Sequence, residues 1–432
     1  CLAPAAISGW AACIRSALAP PNNTVISLLT FHIIDCGPKY PGSPFIGKFY
    51  QFCEISKTIS FYKISQHIIY LYRQMNKVIN YISYQSFPAE TANSLQTISN
   101  IKYLKKNDYE IRLFFPLREK NSSDDLETIQ KYYLLNQEID VNGIKHPYPF
   151  GKIKYFNKLL FHISHYLWAK TTSRIFFNDK YKNDFFLTRS DWVLFFLAKK
   201  NYKIIFECHQ YSKVRNFVFK RVASRDNVKI IFLNDFIRKE FSEVVSKNIL
   251  LPSGVDLEIF NTSQVDLRAS KKISFIGNLL RFGKERSLDT VINAFSSPEL
   301  KDYQLNIVGG PDSEAMKIRK LLSEKNISNI KVTGRLNRKE IVQELLSSSV
   351  GLLINAPDKH SKYFTSPLKY FEYLAASLSV VAVDFPSHRV LPNQENIYYF
   401  DNNQDSLIKV IKEACNSDFK EIDLEKISLD TR

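Results

Sequence analysis

The chain has 432 residues, of which 45% are hydrophobic and 24% are charged, so it is long enough for two globular domains and too apolar for a disordered protein. A net charge of +16 favours an anionic partner, either nucleic acid, an anionic membrane surface or a diphosphate ligand. The sequence has no zinc-finger spacing, no RNA-binding aromatic motif and no long Lys/Arg run, which argues against nucleic acid. No apolar run reaches the roughly 18 residues of a membrane-spanning helix.

The first 74 residues differ in composition from the rest. They hold four of the six cysteines and no methionine, and they begin with Cys1. Met75 then opens a short basic segment that leads into an apolar, β-branched run. We therefore expect residues 1–74 to be translated upstream sequence, with a native extension or a signal segment as the alternatives. The two later cysteines lie far apart, which fits a reducing, cytoplasmic compartment.

Residues 79–115 predict a strand, a helix that ends near Lys106, and a second strand from Glu110 to Phe115. This order is the βαβ start of a Rossmann-like domain. The loop after the first strand reads SFPAETANSLQ and lies where ligands bind in such domains. Its Ser86, Glu90 and Asn93 are therefore candidates for contact with a ligand, and a purely structural turn is the alternative.

Residues 117–180 are charged, aromatic and interrupted. His162 and His165 have the spacing of metal ligands, but apolar residues flank them and no third ligand is evident, so a packed helix is favoured. Strands then follow at 185–189 and 203–209, with a helix at 191–199 between them. Glu207 and His209 share one face at the carboxyl end of the second of these strands, which makes His209 a candidate for the site.

The segment 248–260 is rich in turn residues and predicts a hinge, with the domain boundary between Gly254 and Ser270. The first domain is therefore expected at 75–255 and the second at 256–432. The second domain restarts the pattern, with strands at 273–279, 304–308, 330–336 and 350–355. A glycine turn at Gly277 and Asn278 follows the first of them, and Arg286 is the best candidate for gripping a diphosphate, with neighbouring basic residues as substitutes.

The most informative stretch is SPLKYFEYLAASLSVVAVDFPSHRV, which starts at Ser366. Pro367 suits the first turn of a helix that Thr365 or Ser366 can cap, so unpaired N–H groups and a positive dipole would face an anion. Lys369 lies in the first turns beside this position. Glu372, about one and a half turns along, can reach a polar neighbour. A phosphate at the helix tip with hydroxyls alongside describes a nucleotide.

This stretch resembles the signature SPLKxFEYMAxGxPVVAxDxPxxRE of family 4 glycosyltransferases (glycosyl transferases group 1), which have the GT-B fold. Segments of the first domain, such as the SFPAE loop and the strand with His209, are also similar to the family. The similarity of the loop implies that Ser86, Glu90 and Asn93 contact the acceptor or the sugar. The resemblance implies an α/β protein with two Rossmann-like domains that face each other across a cleft. The chain departs from the family pattern at Phe364, where many members carry a first glutamate, at 377–379, where a small Gly is usual after the helix, and at Asn278, where arginine is usual.

The resemblance implies that Glu372 holds the ribose of a nucleotide diphosphate sugar. It implies catalytic roles for His209, Arg286 and Lys369, and donor contacts for Gly277, Asn278, Thr333, Gly334, Thr365, Ser366, Pro367 and Leu368. It implies retention of anomeric configuration with no metal and no other cofactor. The expected acceptor is a glycan or a lipid-linked sugar in cell-surface polysaccharide synthesis, with the protein cytoplasmic and a peripheral location on an anionic membrane as a further expectation.

Two alternatives stay open from the sequence. An epimerase of the same architecture would need catalytic carboxylates and no acceptor, and a basic binding protein would bind without turnover. Nucleic acid is not an expected partner. Family members continue beyond the position of Arg432 into a helix that crosses back to the first domain, so the second domain is also expected to continue.

Overall fold

The computed structural model describes residues 78–89, 91–146, 157–260, 271–281 and 284–432. The expectation for residues 1–74 falls outside this range. Two parallel sheets, of seven and six strands, organise the described residues. Both faces of each sheet are covered, since neighbouring residues of one strand pack in different hydrophobic clusters. In the first sheet these are Tyr81 and Ile82, and in the second they are Phe275 and Ile276.

The first domain alternates strands with helices. Its strands are β1 (Val78–Ile82), β2 (Glu110–Leu117), β3 (Asp140–Lys145), β4 (Phe185–Thr188), β5 (Lys203–Cys208), β6 (Val228–Phe232) and β7 (Asn248–Leu250). Its helices are α1 (Ala92–Lys106), α2 (Leu126–Tyr133), α3 (Asn157–Ile175), α4 (Asp191–Ala198), α5 (Lys213–Val222) and α6 (Asp235–Glu240). The predicted βαβ start is confirmed.

The second domain repeats this plan. Its strands are β8 (Lys272–Ile276), β9 (Leu280–Arg281), β10 (Lys284–Glu285), β11 (Gln304–Val308), β12 (Ile330–Gly334), β13 (Val350–Leu353), β14 (Ser379–Val383) and β15 (Ile397–Phe400). Its helices are α7 (Leu288–Phe295), α8 (Asp312–Glu324), α9 (Arg338–Leu346), α10 (Lys359–Tyr363), α11 (Leu368–Ala375) and α12 (Gln404–Asn416). Strands β9 and β10 form a separate antiparallel ribbon.

The strand orders are β3-β2-β1-β4-β5-β6-β7 and β12-β11-β8-β13-β14-β15. In each sheet the chain first moves outward in one direction and then returns to the other side of its first strand. The order therefore reverses between β1 and β4 and between β8 and β13, and ligands bind in the crevice at the carboxyl ends of the strands beside such a reversal. The predicted α/β class with two Rossmann-like domains is confirmed.

The segment before α11 joins the two domains. The amide of Asn234 donates to the carbonyl of Thr365 at 3.1 Å, and the backbone N–H of Ser253 donates to the hydroxyl of Ser366 at 2.9 Å. Phe364 is 5% exposed and packs in a hydrophobic core of the first domain. This segment thus fixes the start of α11 against the first domain.

Residues 417–432, the return segment, lead back to the first domain. Val255 and Ser428 form a parallel bridge. The guanidinium of Arg432 donates to the carbonyl of Pro252 and to the carboxylate of Glu207, each at 2.8 Å. A crossing that the sequence analysis expected only beyond Arg432 is thus made within the described residues.

Candidate functional site

Three glycines meet at the carboxyl ends of β8, β11 and β12. The N–H of Gly309 donates to the carbonyl of Gly334 at 2.7 Å. A Cβ on Gly309 would lie 1.7 Å from the carbonyl oxygen of Gly277, and Gly309 and Gly334 have φ values of 149° and 82°. Side chains are excluded there by contact and by conformation. Bare backbone therefore forms this edge, where the predicted donor contacts Gly277 and Gly334 lie.

Helix α11 links the carboxyl end of β13 to the amino end of β14, so its first turn lies at the same edge. The predicted cap is wrong: Pro367 is the N-cap residue, and no side chain caps the helix. Both candidate hydroxyls are engaged elsewhere, because Thr365 donates to the carbonyl of Ser361 at 3.1 Å and Ser366 accepts from Ser253. The helix N-terminus is therefore left without a side-chain cap and is suited to an anion.

Glu372 is buried between two cations. Its side chain is 8% exposed, one oxygen accepts from Lys369 Nζ at 2.8 Å, and the other accepts from Arg338. Burial alone would raise the pKa of Glu372, but Lys369 and Arg338 outweigh burial and bring the pKa to about 2. The predicted ribose ligand is therefore ionised, and it holds Lys369 close to the first turn of α11. Each carboxylate oxygen has a further lone pair for a hydroxyl.

Arg286 lies just before α7 and donates to the side-chain oxygen of Asn355 at 2.9 Å. Asn355 is 3% exposed and follows β13 by two residues. The hydroxyl of Tyr373 bonds backbone groups of β8 and β13. Burial raises the pKa of Tyr373, with Glu372 adding to the rise and Arg286 opposing it. Arg286 and Glu372 therefore both lie close enough to Tyr373 to influence its pKa.

The first domain contributes a second buried carboxylate, Glu207 at the end of β5. Its side chain is 3% exposed and contacts Arg189 at 2.6 Å, Arg432 at 2.8 Å and the imidazole of His209 at 3.4 Å. Arg189 also donates to the side-chain oxygen of Asn93 at 2.6 Å. The network thus brings together His209 and Asn93, two residues that the sequence singled out separately.

The charges of this network set its titration. Burial would raise the pKa of Glu207, but Arg189 and Arg432 hold it well below its usual range. Burial, reinforced by Arg189, lowers the pKa of His209 to about 3. His209 retains a quarter of its side-chain exposure, so a neutral imidazole is presented at the carboxyl edge of the first sheet.

The other predicted residues differ in accessibility. Ser86 is fully buried and accepts from Arg118 Nε at 3.3 Å, so its hydroxyl positions Arg118 and offers no surface to a ligand in this structure. Asn278 is exposed, and Thr333, Pro367 and Leu368 are partly exposed. Glu90 lies outside the described residues.

The predicted helix around His162 and His165 is confirmed as α3. His165 is 7% exposed, its Nε2 lies 2.6 Å from the hydroxyl of Ser190, and its ring stacks on Tyr84 at 3.9 Å. These contacts account for His165 as a packed residue.

Phe364, which stands where many relatives of this type carry a glutamate, belongs to the domain junction. Its ring is packed in the first-domain core.

The sequence analysis missed four side chains of these two clusters: Arg189, Arg338, Asn355 and Arg432. Two of them carried a usable signal, because Asn355 follows β13 by two residues, Arg189 directly follows β4, and polar residues at that edge point to ligands. Arg338 is the first residue of α9, between Asn337 and Glu340, which form a capping box. This pattern indicates a helix start and gives no sign of a site residue. Nothing local connects Arg338 or Arg432 to its partner.

Part of the chain is similar to a known protein family. Residues 270–417 match the family model described as glycosyl transferases group 1. The match covers less than half of the chain and contains Arg286, Arg338, Lys369 and Glu372. No curated protein matched the sequence.

Several solved structures are similar in fold. The chain aligns with sucrose-phosphate synthase from Thermosynechococcus elongatus at 15% identity and a TM-score of 0.59, over 78% of this chain and 89% of that one. It aligns with a glycosyltransferase from Rickettsia africae at 15% identity and a TM-score of 0.55, over 82% and 95%. It aligns with a TarM variant from S. aureus, in complex with fondaparinux, α-GlcNAc-glycerol and UDP, at 11% identity and a TM-score of 0.59, over 82% and 95%.

These structures and the two parallel sheets confirm the GT-B fold. Residues 270–417 of the second domain match a glycosyltransferase family, which confirms the predicted class of enzyme. Among the described residues, no helix has both the length and the apolar character needed to cross a membrane.

Proposed function

We propose that the protein is a retaining glycosyltransferase of family 4 that transfers a sugar from a nucleotide diphosphate sugar to a glycan or a lipid-linked acceptor, in cell-surface polysaccharide synthesis. The observation that carries this proposal is the cluster of Arg286, Arg338, Lys369 and Glu372 beside the glycine backbone of the second sheet. The domain that holds the cluster matches a glycosyltransferase family, and a structure of the same fold contains UDP.

The charges of the cluster suit a diphosphate. Its three cations outnumber its single carboxylate by two, and a diphosphate diester carries one negative charge on each phosphate. The uncapped N-terminus of α11 adds a partial positive charge at the same edge. As the bond to the transferred sugar breaks, negative charge grows on the diphosphate, and these fixed groups stabilise it. They take the place of a divalent ion in this mechanism, and no other cofactor is needed.

Glu372 has two roles in this arrangement. Its carboxylate holds Lys369 and Arg338 in place before the donor arrives, and its remaining lone pairs accept hydrogen bonds from the ribose. The base meets the backbone near Thr333 and Gly334. The acceptor binds to the first domain, where neutral His209 and Asn93 are joined through Arg189 and Glu207.

A peripheral position on an anionic membrane at the cytoplasmic side completes the proposal. Helices α3 and α5 of the first domain expose Leu159, Ile163 and Phe217, at 58%, 47% and 42%. Arg221 lies 3.5 Å above the ring of Phe217, and Lys199 lies 4.0 Å above that of Phe195. Aromatic and basic side chains in this combination favour the headgroup region of a bilayer. Cosedimentation with anionic but not with zwitterionic vesicles is expected, and equal behaviour with both would contradict this location.

A thermal-shift screen with UDP, GDP, ADP and CMP in the presence of EDTA tests the donor site. A ligand at about a hundred times its Kd stabilises the folded protein by roughly 2.7 kcal/mol. We expect one nucleoside diphosphate to raise the Tm of the wild type and of Lys320→Gln, a control with a 79% exposed side chain on α8. Arg286→Gln should bind it about 10- to 100-fold more weakly. Equal shifts in Arg286→Gln and the wild type would refute the assignment of the clamp.

Sugar transfer itself is tested with the nucleotide sugar that the screen identifies. Nucleotide release that depends on an added acceptor is expected for a glycosyltransferase. Epimerisation without an acceptor, or binding with no turnover, would replace the proposed reaction by one of the two alternatives.

A further inference from the structure

Arg118, which follows β2 at the carboxyl edge of the first sheet, differs in its partner from five other arginines of comparable burial. Five arginines have side chains that are 6 to 21% exposed, and each contacts a carboxylate that is at most 12% exposed: Arg112, Arg189, Arg215, Arg338 and Arg432. Arg118 is 14% exposed, and the carboxylate that it approaches, Glu119, is 55% exposed and lies 3.6 Å away. Its Nη1 is buried without a hydrogen-bond partner among the described residues. A guanidinium buried in this way lacks the counter-charge that its desolvation requires.

The structure holds this guanidinium firmly. Its Nε donates to the hydroxyl of buried Ser86 at 3.3 Å, and its central carbon lies 4.8 Å above the ring of Tyr84. Tyr84 in turn stacks on His165 at 3.9 Å with an interplanar angle of 12°. One edge of the guanidinium is therefore used for positioning. The edge with Nη1 and Nη2 remains for an oxyanion that can accept two parallel hydrogen bonds.

The surroundings of Arg118 are polar and neutral. The hydroxyl of Tyr84 lies 2.8 Å from His146 Nε2 and 3.2 Å from the hydroxyl of Ser164. Burial, with Arg118 adding to it, lowers the pKa of His146 to about 4, so the ring is neutral at physiological pH. Within the part of the chain that the structure describes, the carboxylate facing Arg118 is that of exposed Glu119, which an anionic ligand can displace.

We propose that Arg118 binds an oxyanion, a phosphate or a carboxylate, that is carried by the acceptor. The inference rests on the proposed transfer reaction, because Arg118 lies at the carboxyl edge of the first sheet together with Asn93 and His209. The oxyanion takes the place of Glu119 beside Nη2, and it engages Nη1, which is buried in this structure, once Glu119 has moved away. The acceptor is therefore a charged sugar, such as a sugar phosphate or a uronic acid.

Calorimetric titration of the full-length protein with glucose 6-phosphate, glucuronate and glucose tests this inference. We expect at least one of the two anionic sugars, and not glucose, to bind the wild type, and Arg118→Gln to weaken that binding about 10- to 100-fold. Arg225→Gln removes a positive charge just before β6, at the opposite edge of the same sheet, and should bind as the wild type does. The better of the two anionic sugars identifies the acceptor group as phosphate or carboxylate.

The donor site is controlled for separately. Arg286→Gln should retain binding of the anionic sugar, whereas loss of binding there would place the anion at the diphosphate clamp and overturn the inference. Equal affinity for glucose, no binding of either anionic sugar to the wild type, or wild-type affinity in Arg118→Gln would overturn it as well.

Two readouts keep the test decisive if Arg118→Gln fails to fold. In the wild type, a bound anionic sugar should protect Arg118 from phenylglyoxal, as measured by peptide mass spectrometry, and full reactivity in its presence would overturn the inference. Nucleotide-induced stabilisation separates the two proposals. If nucleotides stabilise the protein and anionic sugars do not bind, only the acceptor inference is refuted. If nucleotides do not stabilise the protein and Arg118 binds the anionic sugar, only the proposed donor function is refuted.

Discussion

Replacing Glu372 by glutamine removes a negative charge and changes the side-chain shape very little. The substitution leaves Lys369 and Arg338 facing a neutral amide at the first turn of α11, in a position where Glu372 is only 8% exposed. A buried pair that loses one partner costs about 3 to 5 kcal/mol, because the remaining charge is desolvated without compensation. The Glu372→Gln protein is therefore expected to be markedly less stable at neutral pH.

The pKa of Glu372 gives a second route to the magnitude. The carboxyl titrates at about 2 in the folded protein, against an ordinary value of 4.5. At 1.36 kcal/mol for each pKa unit, this difference corresponds to roughly 3 kcal/mol of stability. Because the folded-state pKa is the lower one, the stabilisation is complete above pH 4.5 and is lost as the pH falls through 2. The advantage of the wild type over Glu372→Gln should therefore shrink in acid.

Urea unfolding at pH 7 and pH 3 measures this difference. Far-UV circular dichroism is the appropriate signal for the second domain, because all three tryptophans lie at or before residue 192 and their fluorescence reports on earlier parts of the chain. Glu324→Gln is the matched control, since Glu324 is 59% exposed and lies 3.8 Å from Lys320. It should change stability by less than about 0.5 kcal/mol. An unchanged transition for Glu372→Gln at pH 7, or a difference undiminished at pH 3, would refute the reasoning.

Three further predictions concern the glycine edge and the first-domain network. Gly309→Ala should destabilise the fold by more than about 4 kcal/mol or prevent folding, because its Cβ would lie 1.7 Å from a carbonyl oxygen. Gly277→Ala is the control and should change the Tm little, because the atom nearest to its Cβ lies 3.6 Å away. Similar Tm values for the two variants would contradict this packing. Arg432→Gln should destabilise the first domain by about 1.5 to 3 kcal/mol, since Glu207 loses a charged partner. Urea titrations followed by tryptophan fluorescence measure this change, and an unchanged transition would argue against the contact. The pKa of His209 falls from 6.5 to about 3 on folding, so this residue makes the protein lose stability as the pH drops below 6.5. His209→Asn should reduce that loss. If the free energy of unfolding of the variant and the wild type depends on pH in the same way, the imidazole titrates normally.

The fold followed from the sequence because its signals are local. Strands such as 304–308 and the helix 288–295 combine a clear hydrophobic pattern with glycine or polar boundaries, and their bounds agree with the structure. The start of α11 was also readable, because Pro367 and Lys369 lie within one turn of its first residue. These features depend on residues that are neighbours in the chain.

The contacts that complete the site depend on distant pairs. Arg338 and Glu372 are separated by 34 positions, and Arg432 and Glu207 by 225. The wrong prediction of the cap has the same origin, since Ser366 is well placed to cap α11 but its hydroxyl accepts from Ser253, 113 positions earlier. The residues near Ser366 in the sequence do not show whether its hydroxyl caps the helix or contacts the first domain.

The return segment has a consequence for synthesis on the ribosome. Glu207 and Pro252 emerge early, whereas Arg432, which bonds both, is made 180 residues after Pro252. During that interval the seven-stranded sheet can form, but Glu207 must rely on Arg189 and His209 alone, and the groups that later receive Arg432 remain open to water. The order of translation thus makes the nascent first domain weaker than the finished one, and it becomes complete only when the second domain has been made.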